Sequence, residues 1–197
     1  MAIEIVAFSG SVRPDNYSDK ALAIVVDELE QHPNVVIHQI DLGKINFPLP
    51  GRPLQDPLVK EIQQLLRNAT GVVIATPEYH GTFSSLIKLA IENLGYPNAL
   101  KGKPVALLGV AGGRIGAIKS LEHLRSVGSH VGALILPSLI SLDRVRDRFD
   151  RNGLPADNET ETLLRGLANT LLDYLKTAVC PKYVLEEFMR EGAEQAV

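Results

Sequence analysis

The sequence predicts a doubly wound α/β domain of three layers, helices packed on both faces of a five-stranded parallel sheet. Five apolar segments rich in Val, Ile and Leu alternate with amphipathic ones along the chain. The apolar segments are nearly continuous rather than alternating in polarity, as strands covered on both faces require. At 197 residues, 45% of them hydrophobic, the chain is long enough to bury one substantial core.

The elements follow in order. Residues 3–8 form the first strand candidate, and residues 18–31 the first helix, with Leu22, Val25, Val26 and Leu29 on one stripe. Residues 35–40 are the second strand; the helix of residues 57–68 starts on Pro57, a favourable early position, and repeats Ile62, Leu65 and Leu66. Residues 71–76 are the third strand, and residues 84–94 carry Leu86, Ile87, Ala90, Ile91 and Leu94 at helical spacing. Residues 104–110 and 131–137 are the fourth and fifth strands, with a helix over 115–127 between them. A long helix over 157–179, with Leu164, Leu167, Leu171 and Leu175, closes a domain of residues 1–179. The tail of 180–197 contains Tyr183, Leu185 and Phe188 and reads as a frayed or partner-contacting segment. Right-handed crossovers favour strand order 2-1-3-4-5.

Composition narrows the function. A formal charge of −3 gives no field for nucleic acid, and the mixed run Asp143-Arg144-Val145-Arg146-Asp147-Arg148 reads as a solvated face or loop. The single cysteine, Cys180, excludes an internal disulfide and a cysteine-rich metal site. The five histidines show no metal-ligand spacing, so no metal is expected. The start, Met1-Ala2-Ile3-Glu4, has no basic region followed by a long apolar stretch, and no apolar run approaches the ~20 residues of a membrane span. A cytoplasmic protein is the expectation.

In an open α/β sheet, ligands bind beyond the carboxyl ends of the strands where strand order reverses, here between strands 1 and 3. After strand 1 comes Ser9-Gly10-Ser11-Val12-Arg13, a small turn before a helix start. Backbone N–H groups and the helix dipole favour an anion there, and Ser9, Ser11, Ser18 and Arg13 add hydroxyls and a guanidinium suited to phosphate. The same turn also reads as an ordinary strand–helix connection. After strand 3 comes Thr76-Pro77-Glu78-Tyr79-His80-Gly81-Thr82-Phe83, and after strand 4 Ala111-Gly112-Gly113-Arg114-Ile115-Gly116. Three unusual loops at one sheet edge are more informative than any one of them.

Other nucleotide and hydrolase sites are disfavoured. No Gly-x-Gly-x-x-Gly follows strand 1, no Gly-Lys-Ser/Thr ending marks a P-loop, and no Gly-x-Ser-x-Gly elbow occurs. Each residue also has a plainer reading. Arg13 suits a surface ion pair, Tyr79 a core rim, Arg114 a solvated helix start, and Glu78 a structural hydrogen bond or subunit contact.

Together, Gly10-Ser11-Val12-Arg13 with Ser18, then Pro77-Glu78-Tyr79-His80-Gly81, then Gly112-Gly113-Arg114-x-Gly116, resemble the three signature loops of the NAD(P)H-dependent FMN reductases, over roughly residues 1–179. That flavodoxin-like family includes flavin, quinone, azo-dye and chromate reductases. The resemblance implies that Ser9, Ser11, Arg13, Tyr17 and Ser18, with Asn16, surround the FMN phosphate. It implies that Pro77, Glu78, Tyr79, His80 and Gly81 lie along the isoalloxazine, and Gly112, Gly113 and Arg114 at its pyrimidine end. This chain has Ser18-Asp19 where the family often has Ser-Asn, His80 where Asn is frequent, and Phe83-Ser84 in place of a proline-bearing segment.

The implied reaction passes hydride from NADPH or NADH through FMN N5 to a quinone, free flavin, azo dye or metal-oxyanion acceptor. The cofactors carry that chemistry, so no side chain is assigned as catalytic. The implied assembly is a homodimer or homotetramer, with the proline-rich connection of residues 43–53 and the segment 95–98 as candidate contacts. The rival class is a flavodoxin-type electron carrier without its own NAD(P)H oxidation. The modest charge of −3, the absence of Trp and the 5% aromatic content favour an open flavin face and an enzyme. A flavin-free interaction domain on the same fold is the third class.

Overall fold

The structure, a computed structural model, describes residues 2–182. In chain order it builds β1 (Ile3–Ser9), α1 (Tyr17–Glu30), β2 (Val35–Ile40), α2 (Pro57–Asn68), β3 (Gly71–Tyr79), β4 (Thr82–Phe83), α3 (Ser85–Glu92), β5 (Pro104–Val110), α4 (Ile118–His130), β6 (Leu134–Ile135), β7 (Ile140–Leu142) and α5 (Asn158–Tyr174). The sheet order is β2-β1-β3-β5-β6, with β7 also on β5 and the short β4 folded back on β3. All neighbours except β3 and β4 run parallel. Counted by parallel position this is the expected order 2-1-3-4-5, the fifth position being shared by β6 and β7.

Side-chain alternation along the central strands divides the core in two. Ile3, Ile5 and Ala7 of β1 pack with Leu22, Val25 and Leu29 of α1 and Leu164, Leu167 and Leu171 of α5. Val6 and Phe8 point to the other face, against Ile62 and Leu66 of α2, Ile87 and Ile91 of α3, and Leu121 of α4. Arg165 ties α5 to α1, bonding Asp27 at 2.7 Å and Glu28 at 3.0 Å while holding Glu161 of its own helix at 2.9 Å. The helix bearing the first signature loop is thereby fixed at its far end.

Several boundaries differ from the sequence expectation. The fifth strand, expected over 131–137, is reduced to Leu134–Ile135, because α4 continues to His130 and Gly132 turns the chain at φ 92°. Pro137 has no N–H for the ladder, and pairing resumes only at Ile140. The helix expected from residue 115 starts at Ile118: Gly116 lies at φ 74°, outside helical backbone, and Ile115 is 74% exposed. Expected to end at Thr76, β3 runs on to Tyr79 and returns as a hairpin through His80 and Gly81. The last helix keeps regular geometry to Tyr174, followed by a π-helical turn over Leu175–Val179. Tyr183, Leu185 and Phe188 of the tail lie outside the described residues.

Candidate functional site

The β1–α1 connection is shaped by small side chains bonding their own backbone. Ser9 Oγ accepts from the Ser11 N–H at 3.3 Å and Ser11 Oγ from the Arg13 N–H at 3.4 Å, so both hydroxyls tighten the turn. Asn16 caps α1: its Oδ1 accepts from the Asp19 N–H at 2.9 Å, and its Nδ2 donates to the Arg13 carbonyl at 2.8 Å. That leaves the Tyr17 and Ser18 N–H groups, which have no acceptor inside the helix, available to an anion. Asp19, an acid beside a proposed phosphate site, is held by Asn16 Nδ2 at 2.6 Å and borders an adjoining cavity on the β2 side, of which Ser11, Arg13 and Asn16 also form part.

Gly10 sits where β1 meets α3, with a bond from its N–H to the Ala75 carbonyl at 2.9 Å. A Cβ there would meet Ser84 Oγ at 2.4 Å and Ile87 Cγ1 at 2.5 Å. Thr76 Oγ1 accepts from the Ser84 N–H at 3.2 Å, and Ser84 Oγ caps α3 through the Ile87 N–H at 3.3 Å. The ends of β1 and β3 and the start of α3 are thus locked together. The substituted segment Phe83-Ser84 supplies a buried aromatic and this cap.

The hairpin after β3 turns on two residues of positive φ, His80 at 51° and Gly81 at 79°, between the paired Tyr79 and Thr82. Both central residues left-handed is the type I′ pattern that matches strand twist. Histidine tolerates it better than most non-glycine residues, which accounts for His80 where Asn is frequent in the family it resembles. His123 of α4 holds the hairpin through Thr82 Oγ1 at 3.1 Å.

A cavity of about 250 Å³ opens where these loops meet, at the carboxyl ends of β1, β3 and β5. From the first loop it takes Ser11, Arg13, Tyr17 and Ser18, together with Pro14, Asp15 and Asn16. Pro77, Glu78 and Tyr79 come from the end of β3, and Val110, Ala111 and Gly112 from the end of β5. Val145 and Arg146 complete the wall. The remaining candidates lie elsewhere. Ser9 borders the β2-side cavity, His80 and Gly81 form the hairpin tip, and Gly113 and Arg114 are exposed beyond the wall. The sequence does not single out Val145 and Arg146, because their mixed charge run reads as a solvated face or loop. The signal was Val145, an apolar residue inside that run, which is buried as an anchor.

Two buried polar atoms on this wall have no partner among the described residues: Ser18 Oγ, in a residue only 1% exposed, and Glu78 Oε2. A buried hydroxyl without a protein partner is costly unless a water or a ligand bonds it. The Arg13 guanidinium stands 4.9 Å from the centre of the Tyr79 ring. Neither Arg13 nor Arg146 has a carboxylate partner among the described residues. No atom lies within 4 Å of where a Cβ would stand on Gly112, so the β5 side of the cavity is open. Donors and cations at the helix end with open space beside them suit a phosphate-bearing planar ligand, and FMN fits that description. Among the described residues no cluster of three or more His, Cys, Asp or Glu side chains is placed to hold a metal. No helix there is long and apolar enough to cross a membrane.

Asp143, which braces the Arg146 turn, and Asp157, at the start of α5, are both held below their usual pKa of 3.8. The Arg148 and Arg144 guanidinium bonds lower Asp143, and the Thr160 N–H bond lowers Asp157, the cap of α5. With folded values below unfolded ones, the unfolded chain binds more protons as the pH falls through this range. This stabilisation is complete above the unfolded value and lost on acidification below about pH 4. The melting temperature is expected to fall there, and D157N, which cannot carry the charge that the Thr160 N–H stabilises, should flatten part of the fall by starting from a lower stability at pH 7. Thermal melts across the acid range check this.

Residues 3–147 match the sequence model of the NADPH-dependent FMN reductase family. An NAD(P)H-dependent FMN reductase of Pseudomonas aeruginosa is 27% identical over 175 residues, covering 83% of this chain and 90% of that one. An NADPH:quinone oxidoreductase of Arabidopsis thaliana is 30% identical over 171 residues, covering 83% and 87%. The flavoenzyme NAD(P)H:(acceptor) oxidoreductase FerB of Paracoccus denitrificans superposes with a TM-score of 0.73 at 22% identity, over 89% of this chain and 98% of that one, a likeness of fold. With its match running from β1 through the turn that carries Arg146, this chain belongs to the NADPH-dependent FMN reductase family.

Proposed function

We propose that the protein is an NAD(P)H-dependent flavin oxidoreductase that binds FMN in the cavity at the ends of β1, β3 and β5 and reduces a small-molecule acceptor. The unpartnered, buried Ser18 hydroxyl beside the free end of α1 carries this reading. Ser11, Arg13, Ser18 and the Tyr17 and Ser18 N–H groups would hold the phosphate. Pro77 to Tyr79 and Gly112 would border the ring system, the glycine leaving room for it. Bound FMN supplies the two-electron chemistry between NAD(P)H and an acceptor. The protein's part is to bind, orient and polarise: Arg13 would retain the nucleotide, and backbone donors of the β5 loop would stabilise the negative charge of a reduced flavin.

The acceptor class is a quinone, free flavin, azo dye or metal oxyanion, reached from the open side of the cavity. Tyr96, 100% exposed, and Leu49, 65% exposed, flank the outer face of α3 and support self-association there as a homodimer or homotetramer. A cytoplasmic site of action matches the NAD(P)H requirement. The test is purified protein, its chromophore identified, assayed for NADPH and NADH oxidation against a panel of these acceptors. Turnover without a separate reductase supports the enzyme. A flavin-bearing protein that turns over none of them would be a carrier instead.

A further inference from the structure

The turn that closes the cavity from the fifth-strand side has a costly shape. Arg144 stands at φ 41°, left-handed backbone for a non-glycine residue. Its N–H donates to the Gly113 carbonyl at 3.1 Å, and the Val145 N–H donates to the Ala111 carbonyl at 3.0 Å. These bonds zip the turn onto the β5 loop, and Val145 is buried beneath it. Strain of this kind persists only where the surroundings impose it, and it gathers at functional sites. What it delivers is Arg146, on the cavity wall with Ser18. Its neighbours are neutralised, Arg144 and Arg148 both bonding Asp143, at 3.0 Å and 2.8 Å. Arg146 has no carboxylate partner among the described residues.

We propose that Arg146 is a second cation for the phosphate of the bound flavin nucleotide, reaching it from the side of the cavity opposite in sequence to Arg13. The proposal rests on the FMN reading above. A phosphate monoester carries about −1.5 to −2 charges at neutral pH. The single guanidinium of Arg13, shared with the Tyr79 ring at 4.9 Å, together with a helix end worth roughly half a charge, supplies about 1.5 positive charges, short of what the dianion carries. A second arginine completes the match with bonds of the strong, charge-assisted kind. It also couples nucleotide binding to the turn braced by Asp143.

The experiment titrates flavin-free full chain with FMN and, separately, with riboflavin, following flavin fluorescence, for wild type, R146A, R146K and the exposed-site control R151A. Expected for R146A is FMN binding weaker by about 10- to 100-fold, with riboflavin binding changed by less than about threefold. R146K should recover part of the loss, and R151A should match wild type. Arg146 is exposed, so its variants should melt close to wild type, which a thermal scan verifies. Wild type preferring FMN to riboflavin while R146A keeps the same preference overturns the proposal alone. An equal loss of both flavins in R146A also overturns it, by showing that the residue does not read phosphate. Wild type with no preference for FMN removes the phosphate reading itself, and the proposal with it.

Discussion

Gly10→Ala is expected to lower the melting temperature by roughly 5–15 °C and to weaken flavin binding severely. The added methyl would stand 2.4 Å from Ser84 Oγ and 2.5 Å from Ile87 Cγ1, separations that real contacts do not reach. Ser84 cannot step aside freely, because its hydroxyl caps α3 and its N–H is taken by Thr76. Ile87 is fully buried. Overpacking of this kind costs about 1–3 kcal/mol, and a lost cap about 1 kcal/mol more. At a few degrees per kcal/mol for a chain of this size, the sum gives the stated fall. The alternative relief is for the β1–α1 loop to move, which carries Ser11 and Arg13 off the cavity. A double-mutant cycle with Ile87→Ala should show the two changes costing less together than separately, because the alanine removes one of the two clashing atoms. A G10A protein melting within about 2 °C of wild type would contradict the packing argument.

Ser18→Ala is expected to do the opposite to the two properties. Its hydroxyl is buried with no partner among the described residues, so deleting it should leave the flavin-free protein as stable as wild type, or slightly more so. FMN binding should weaken by about 10- to 100-fold, the value of a hydrogen bond to a charged group. Riboflavin, which lacks the phosphate, should bind as before. A serine with a structural role would give the reverse pattern, a less stable apoprotein and equal losses for both flavins. Arg13→Ala should likewise reduce FMN retention while leaving the rate per bound flavin nearly unchanged, since the guanidinium lies on the phosphate side of the division of labour. Thermal melts, flavin titrations and flavin-normalised rates separate these outcomes.

The parts of the fold that were legible in the sequence are those set by local chemistry. Val and Ile runs gave the central strands, and Asn16, Asp56, Ser84 and Asp157 stand at helix starts as their side chains favour. What escaped was set by tertiary context. Apolar character continues from Val131 to Pro137 as if through one strand, but the end of α4, Gly132 and a proline without an N–H divide it. Ile115 looks like the first residue of an amphipathic helix, yet the left-handed Gly116 separates it from α4.

The candidate site divides along the same line. The loop after β1 stands out in the sequence because three serines and an arginine gather around one helix start, although the Ser9 and Ser11 hydroxyls also serve the turn itself. The hairpin after β3 was read as a loop, although His80-Gly81 is a pair suited to a two-residue turn. Arg146 was hidden by its neighbours: a run of alternating charges reads as surface until the burial of Val145 shows which way the turn faces.

FMN held in this cavity would be open to a reduced nicotinamide, which must then reduce it directly. Rapid anaerobic mixing of the FMN-loaded protein with NADPH or NADH, followed by the visible flavin absorbance, tests it most directly. The bound flavin is expected to bleach with at least one of the two, and the colour to return when a quinone is added. A protein that holds FMN firmly, yet whose colour neither nucleotide bleaches, would contradict it.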